Sequence, residues 1–209
     1  MVQLRKCIRV VDGFMKSLQN LDKYQVLLAS ASPRRRELLG QLGVKFEIAT
    51  PIEIDESYPA TMPAVEVAPF LSKLKAEAYK ALIDANQLII TADTVVINDG
   101  EVLEKPISND DAINMLSSLS GHTHEVVTGV TITSAEKQVT FSVCTQVEFA
   151  QLTAEEIREY VEVFAPMDKA GAYGIQEWIG CIGVKGINGS FYNVMGLPLH
   201  RLYAELKDF

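Results

Sequence analysis

The sequence predicts a domain of the α/β class with mixed α+β character, built on a mixed sheet flanked by helices. Three observations predict it. Residues 25–49 read as strand, turn, helix and strand, which is an α/β opening. Residues 126–133 and 139–149 are rich in Val and Thr and alternate in polarity, as long antiparallel strands do. Between and after them lie helix-start signals, at Ser108-Asn109-Asp110-Asp111 and at Thr153-x-x-Glu156.

Taken in order, residues 25–30 form a short apolar run consistent with a buried strand. Ser32 is the expected N-cap of the next helix and Pro33 its first residue. Leu38, Leu39 and Leu42 fall at helix spacing, and Gly43 suits the residue after the C-cap. Residues 44–49 read as a second strand and 52–63 as an acidic, Pro-containing loop. Residues 65–85 carry a long helical pattern. Residues 87–97 read as a strand that turns at Asn98-Asp99-Gly100 into a short partner at 101–103, a hairpin. A helix follows Ser108, and another follows Thr153 and ends near Phe164. Residues 179–187 read as a further strand and 198–209 as a terminal helix. Residues 1–24 are expected to be an N-terminal extension and 25–209 a single domain.

The composition restricts function. The chain has 209 residues, 48% of them hydrophobic, and a formal net charge of −8. Such a surface repels polyanions, so nucleic acid is not an expected partner, and a small anionic substrate would need a local positive pocket. No apolar run is long enough to cross a bilayer, so no membrane association is expected. Three cysteines, none in a C-x-x-C pair, fit a reducing, cytoplasmic setting.

The turn at residues 30–36 is the densest chemical signal. Ser30 and Ser32 close a strand, and Arg34, Arg35 and Arg36 occupy the first turn of the helix. Cations are misplaced there with respect to the helix dipole, and an anionic ligand would compensate them. Arg also suits forked phosphate contacts. Neither a P-loop nor a G-x-G-x-x-G motif is present. Asp93, with Thr94 beside it, interrupts an apolar strand, where a carboxylate is costly unless it is paired or serves a site. Glu53, Asp55 and Glu56 cluster in the loop after the second strand. Carboxylates from two such places can hold Mg²⁺ or Mn²⁺. The same loop acids also read as a solvated patch, and Asp93 as a hydrogen-bonded strand residue. His122-x-His124 reads as a surface pair. Residues 168–176, Asp-Lys-Ala-Gly-Ala-Tyr-Gly-Ile-Gln, combine small residues with Gln176, whose amide can read a base edge.

Together these stretches resemble the Maf family of nucleotide pyrophosphatases. The likeness is carried by residues 28–39, Lys75-Ala76, Ala92-Asp93-Thr94-Val95-Val96, Glu104-Lys105-Pro106, residues 119–130 and 168–176, and Asn193-Val194-Met195-Gly196-Leu197-Pro198. The resemblance implies a fold similar to the inosine-triphosphatase group: an elongated sheet with two lobes around a cleft. It implies hydrolysis of a nucleoside triphosphate to the monophosphate and pyrophosphate. Asp93 matches the proton acceptor. Arg34, Thr94 and Gln176 match positions that set substrate choice, and Arg35, Lys75 and Lys105 match phosphate-handling positions. Glu56 matches a loop acid that looks like a metal or water partner, and with Asp93 it would hold a divalent metal, Mg²⁺ or Mn²⁺. Family members acting on 7-methyl-GTP tend to carry an aromatic residue where Arg34 stands, so the chain looks like the dTTP/UTP group. Analogy with the family also implies a homodimer. A second expectation from the same family is a nucleotide-binding regulator of cell division. The pairs Ala165-Pro166 and Phe191-Tyr192 depart from the family pattern away from these positions.

Overall fold

In the computed structural model, which describes residues 16–209, the predicted opening unit is formed by β1 (Gln25–Ala29), α1 (Pro33–Gln41) and a very short β2 (Glu47–Ile48). The long helix is α2 (Ala64–Lys80), followed by β3 (Gln87–Asn98) and β4 (Glu101–Leu103). Then come α3 (Asn109–Leu119), β5 (Thr123–Ser134), β6 (Gln138–Phe149) and α4 (Ala154–Phe164). The chain ends with α5 (Trp178–Gly183), β7 (Val184–Asn188), α6 (Phe191–Val194) and α7 (Leu199–Lys207).

Local chemistry sets most of these boundaries. Ser32, Ser108, Thr153 and Ser190 cap their helices through their side chains, and Thr153 with Glu156 forms a complete capping box. The β3–β4 hairpin turns through Asp99 (φ 49°) and Gly100 (φ 85°), both left-handed as an Asp-Gly hairpin turn requires. Three expectations are corrected. The strand predicted over 44–49 is only two residues long. The helix predicted to run to 85 stops at Lys80 and admits Pro69 in its interior. The strand predicted over 179–187 is helix α5 followed by β7. A short apolar run does not by itself distinguish a strand from a buried helical turn. Residues 1–15 of the predicted extension lie outside the described residues. Lys16–Lys23 forms a 3-10 segment with Leu18 and Leu21 fully buried, and Asn20 Nδ2 donates to Leu206 O at 2.8 Å in α7.

The seven strands form one mixed sheet in the order β2-β1-β3-β5-β6-β7, with β4 added to β3. β3 pairs antiparallel with β5 from Leu88 to Ile97. Its other edge is shared: β1 runs parallel along Gln87–Thr91, and β4 runs antiparallel along Val96–Asn98. Residues 92–95 therefore have no strand partner on that edge. This interruption opens the cleft.

Alternation along β3 divides the packing. Val95 and Ile97 face α2 and join Val67, Ala68, Leu71 and Val127 in one core. Ala92 and Val96 face the opposite way and enter two different cores. The first of these gathers α1, α7 and the 3-10 segment; the second gathers α3, α4 and α5. These two cores are the two lobes. α2 lies so close to β5 that a Cβ on Gly129 would come within 2.4 Å of the Ala68 backbone. Beneath α2 a buried polar seam links Thr91 Oγ1 to Ser72 O at 2.7 Å and Ser72 Oγ to Thr131 Oγ1 at 3.0 Å. The seam satisfies groups that burial would otherwise penalise.

Candidate active site

The cleft, about 500 Å³ in volume, lies where β3 lacks its neighbour. Ten of the residues singled out from sequence line it: Ser30, Ser32, Arg34, Arg35, Glu56, Lys75, Asp93, Thr94, Lys105 and Gln176. They come from six separate stretches of chain. Asp93 and Thr94 are adjacent and so point to opposite faces of the sheet. They can border one cavity because it opens at an unpaired strand edge.

On the α2 face, Asp93 meets Lys75. Lys75 Nζ donates to Asp93 Oδ1 at 2.7 Å and lies 2.7 Å from Glu56 Oε2. The Lys75 and Asp93 side chains are 14% and 16% exposed, whereas Glu56 is 50% exposed. The pair is thus mostly desolvated, with the loop acid at its rim. Asp93 Oδ2 makes no hydrogen bond among the described residues. Glu53 and Asp55 stay exposed, and Asp55 accepts from Ser57 N at 3.0 Å.

On the opposite face, Arg35 is held from all sides. Its Nε donates to Gly196 O at 2.8 Å, Nη1 to Ala92 O at 2.9 Å, and Nη2 to Thr94 Oγ1 at 2.9 Å. Ala92 O lies in the unpaired stretch of β3, so the guanidinium supplies a donor there that a neighbouring strand would have supplied. Burial lowers the Arg35 pKa, with Asp93 and Glu56 opposing the shift through their charge. Arg35 therefore builds the cleft floor and contributes fixed positive charge. Thr94 Oγ1 is also 3.0 Å from Thr128 Oγ1.

Arg34 reaches across the cleft to Asp168, Nη1 to Oδ2 at 2.7 Å. Asp168 Oδ1 accepts from Lys169 Nζ at 2.8 Å, and Lys169 Nζ also lies 3.2 Å from Glu177 Oε1. Partial burial raises the Asp168 pKa, but the hydrogen bonds from Lys169 and Arg34 and their charges prevail and draw it down to about 2. Sequence reasoning selected only Gln176 from residues 168–176 and missed Asp168 and Lys169. The signal was the charged pair opening a run of small residues. Gly171 (φ 65°) in that run would put a Cβ within 3.0 Å of Val96, so the segment can pack against β3 only with Gly there. Gln176 and Lys105 are exposed, and neither side chain has a hydrogen-bond or ion-pair partner among the described residues.

The histidine pair is corrected. His122 is exposed, but His124 is 1% exposed and its Nε2 lies 2.7 Å from Tyr173 OH. Burial holds the His124 pKa down at about 4. Alternation explains the inward position: His124 and Val126 share the β5 face that enters the second core.

The charge balance of the cleft opposes that of the chain. Arg34, Arg35, Arg36, Lys75, Lys105 and Lys169 line it against Glu56, Asp93 and Asp168. A polyanion is attracted here although the molecule carries a net −8.

The match to known proteins is decisive at this point: residues 25–209 fit the family described as Maf-like protein. The chain belongs to the Maf family. A relative from Bacteroides thetaiotaomicron, named dTTP/UTP pyrophosphatase, is 55% identical over 190 residues, covering 91% of this chain and 98% of the relative. One of the same name from Parabacteroides distasonis is 52% identical, covering 92% of this chain and all (100%) of the relative. The solved structure of the Staphylococcus aureus Ham1 protein is 15% identical and shares the fold, with a TM-score of 0.50 over 88% of this chain and 98% of that one. The mixed sheet flanked by helices is therefore the architecture expected for this group.

No group of three or more His, Cys, Asp or Glu side chains suited to a metal occurs among the described residues. The donor set still fits a hard divalent cation. Asp93 and Glu56 each give one oxygen, Oδ1 and Oε2, to the Lys75 ammonium, which leaves Asp93 Oδ2 and Glu56 Oε1, without hydrogen bonds among the described residues, as the oxygens for a cation. Mg²⁺ commonly uses one or two carboxylates and completes its shell with water and substrate phosphates.

Proposed function

We propose that this Maf-family protein hydrolyses dTTP and UTP to the monophosphate and pyrophosphate, a house-cleaning activity on pyrimidine nucleotides. The observation that carries the reading is the meeting of Asp93, Lys75 and Glu56 with the cations of α1 at the interruption of β3. The names of the half-identical relatives support the substrate assignment.

The triphosphate enters a cleft lined by Arg34, Arg35, Lys75, Lys105 and Lys169, whose charges stabilise it. Arg34, Lys105 and Lys169 contact phosphate oxygens, and Arg35 adds charge from beneath. Ser30 and Ser32 line the phosphate end. Asp93, fixed through Oδ1 by Lys75, directs Oδ2 to the water that attacks the α-phosphorus and takes its proton. Gln176 has donor and acceptor groups to spare for the base edge, and Arg34 and Thr94 border the same space. A divalent cation bound by Asp93 and Glu56 would supply charge neutralisation on the phosphates. In this reading the protein acts in the cytoplasm, as a homodimer.

The test is pyrophosphate release from dTTP, UTP, CTP and 7-methyl-GTP, with and without Mg²⁺ or Mn²⁺. Turnover confined to dTTP and UTP, dependent on the metal and reduced at least about 10²-fold in Asp93→Asn, is expected. Full turnover by Asp93→Asn would sink the assignment of the proton acceptor, and a preference for 7-methyl-GTP would sink the substrate class.

A further inference from the structure

Asp168 ties the two lobes together across the cleft. Its Oδ2 accepts from Arg34 Nη1 at 2.7 Å, its backbone oxygen from Arg34 Nη2 at 3.4 Å, and its Oδ1 from Lys169 Nζ at 2.8 Å. Arg34 stands on α1, which packs into the first lobe; Lys169 precedes Ala170, which packs against the second. The cations are largely sheltered, with side chains 24% and 9% exposed, while the carboxylate that joins them is 58% exposed. A carboxylate that accepts from a guanidinium and an ammonium uses the donors that phosphate oxygens would use, and a phosphate, with more oxygens and more charge, can compete for them. The other sheltered cations differ. Arg35 is held by backbone carbonyls and Thr94, and Lys75 by two carboxylates. Among the described sheltered cations, only Arg34 and Lys169 share a single acid, and that acid is 58% exposed. Glu177, 3.2 Å from Lys169 Nζ, keeps that ammonium in place if Asp168 turns away.

We propose that the Asp168 carboxylate is a resident anion that holds Arg34 and Lys169 together when no polyphosphate is bound, and that a phosphate group of substrate or of product pyrophosphate displaces it. The inference rests on reading the cleft as a polyphosphate site. Asp168 then competes with both ligands. It weakens substrate binding, and on the way out it recaptures the cations and speeds release of pyrophosphate.

The experiment compares the full chain with Asp168→Asn, which removes the charge at nearly constant shape, and Asp168→Glu, which keeps the charge. Inorganic pyrophosphate is titrated calorimetrically into each, and KM and kcat are measured for dTTP and UTP. In Asp168→Asn the Kd for pyrophosphate falls roughly fivefold or more, the scale of losing one charge beside two cations at a partly solvated site. KM and kcat fall together, because product leaves more slowly; Asp168→Glu stays near the parent protein. An unchanged or raised Kd in Asp168→Asn overturns the inference, since Asp168 would then orient the cations for the ligand or be inert. So does a failure of every form to bind pyrophosphate. If the parent turns over neither nucleotide while Asp168→Asn still binds pyrophosphate more tightly, the activity reading fails and the displacement stands. If the parent turns over dTTP and Asp168→Asn shows no tightening, the displacement alone fails.

Discussion

Replacing Lys75 by Met keeps the length of the side chain and removes the charge between Asp93 and Glu56. Both carboxylate oxygens sit 2.7 Å from Nζ, but their environments differ. Lys75 and Asp93 are only 14% and 16% exposed, so their pair lies between the surface case, about 0.2–1 kcal/mol, and the buried case, about 3–5 kcal/mol. Glu56 is 50% exposed, and its share is discounted to a few tenths. The expected loss is about 2–3 kcal/mol, or roughly 4–12 °C in Tm for a chain of this size. The functional loss is larger. Without the ammonium, Asp93 loses the hydrogen bond that fixes it and faces a like charge, and displacement of a reacting group by about 1 Å can cost 10²-fold in rate. The assay pairs urea unfolding at neutral pH with pyrophosphate release from dTTP. Stability within about 0.5 kcal/mol of the parent together with an unchanged kcat would refute the claim that this ion triplet organises the site.

Two further outcomes follow from packing and titration. Gly129→Ala forces a Cβ to within 2.4 Å of the Ala68 backbone, so α2 must move off the sheet. About 1–3 kcal/mol of stability is lost in urea unfolding, and turnover falls as well because α2 carries Lys75. His124 titrates at about 4 in the fold against 6.5 for the ordinary side chain, so folding favours its neutral form. Its contribution is complete above about pH 6.5 and is lost as pH falls towards 4, with a limit of about 3 kcal/mol. Asp168, drawn down to about 2, adds a smaller loss below about pH 4, because its side chain is more than half exposed. Urea midpoints between pH 7 and 4.5 check this: the decline should flatten in His124→Gln, and an identical decline in that variant would contradict the assignment.

The parts of this protein that were legible in the sequence are those whose cause is local. Ser32, Ser108 and Thr153 announce their helices because a cap needs only a few neighbouring residues. Asp99-Gly100 announces a hairpin because its backbone angles suit few other residues. Arg34, Arg35 and Arg36 stood out by their place at the wrong end of a helix, and all three line the cleft. Where the cause is distant, reading from sequence fell short. Pro69 stands inside α2, where the helix backbone abuts Gly129 of β5, and of the strand expected over 179–187 the first part is helical, with Ile179 buried in the second core, while the rest forms β7. His124 looked exposed because nothing near it in sequence reveals Tyr173. Leu18 and Leu21 looked like part of an extension because their partners lie at the other end of the chain.

The turn at residues 30–36 shows where the division falls. The sequence by itself determined that residues 30–36 place two serines and three arginines at a strand-to-helix junction, since a cap and a dipole act within one turn. It did not determine what the arginines do. Tertiary structure separated them: Arg35 is fastened to Ala92 and Gly196 as part of the cleft floor, and Arg34 is held across the cleft by Asp168. Those partners are 57, 161 and 134 residues away along the chain. Hydrogen bonds and charge act through space over a few ångströms, so only the folded sheet, with its interrupted edge at residues 92–95, brings them within reach.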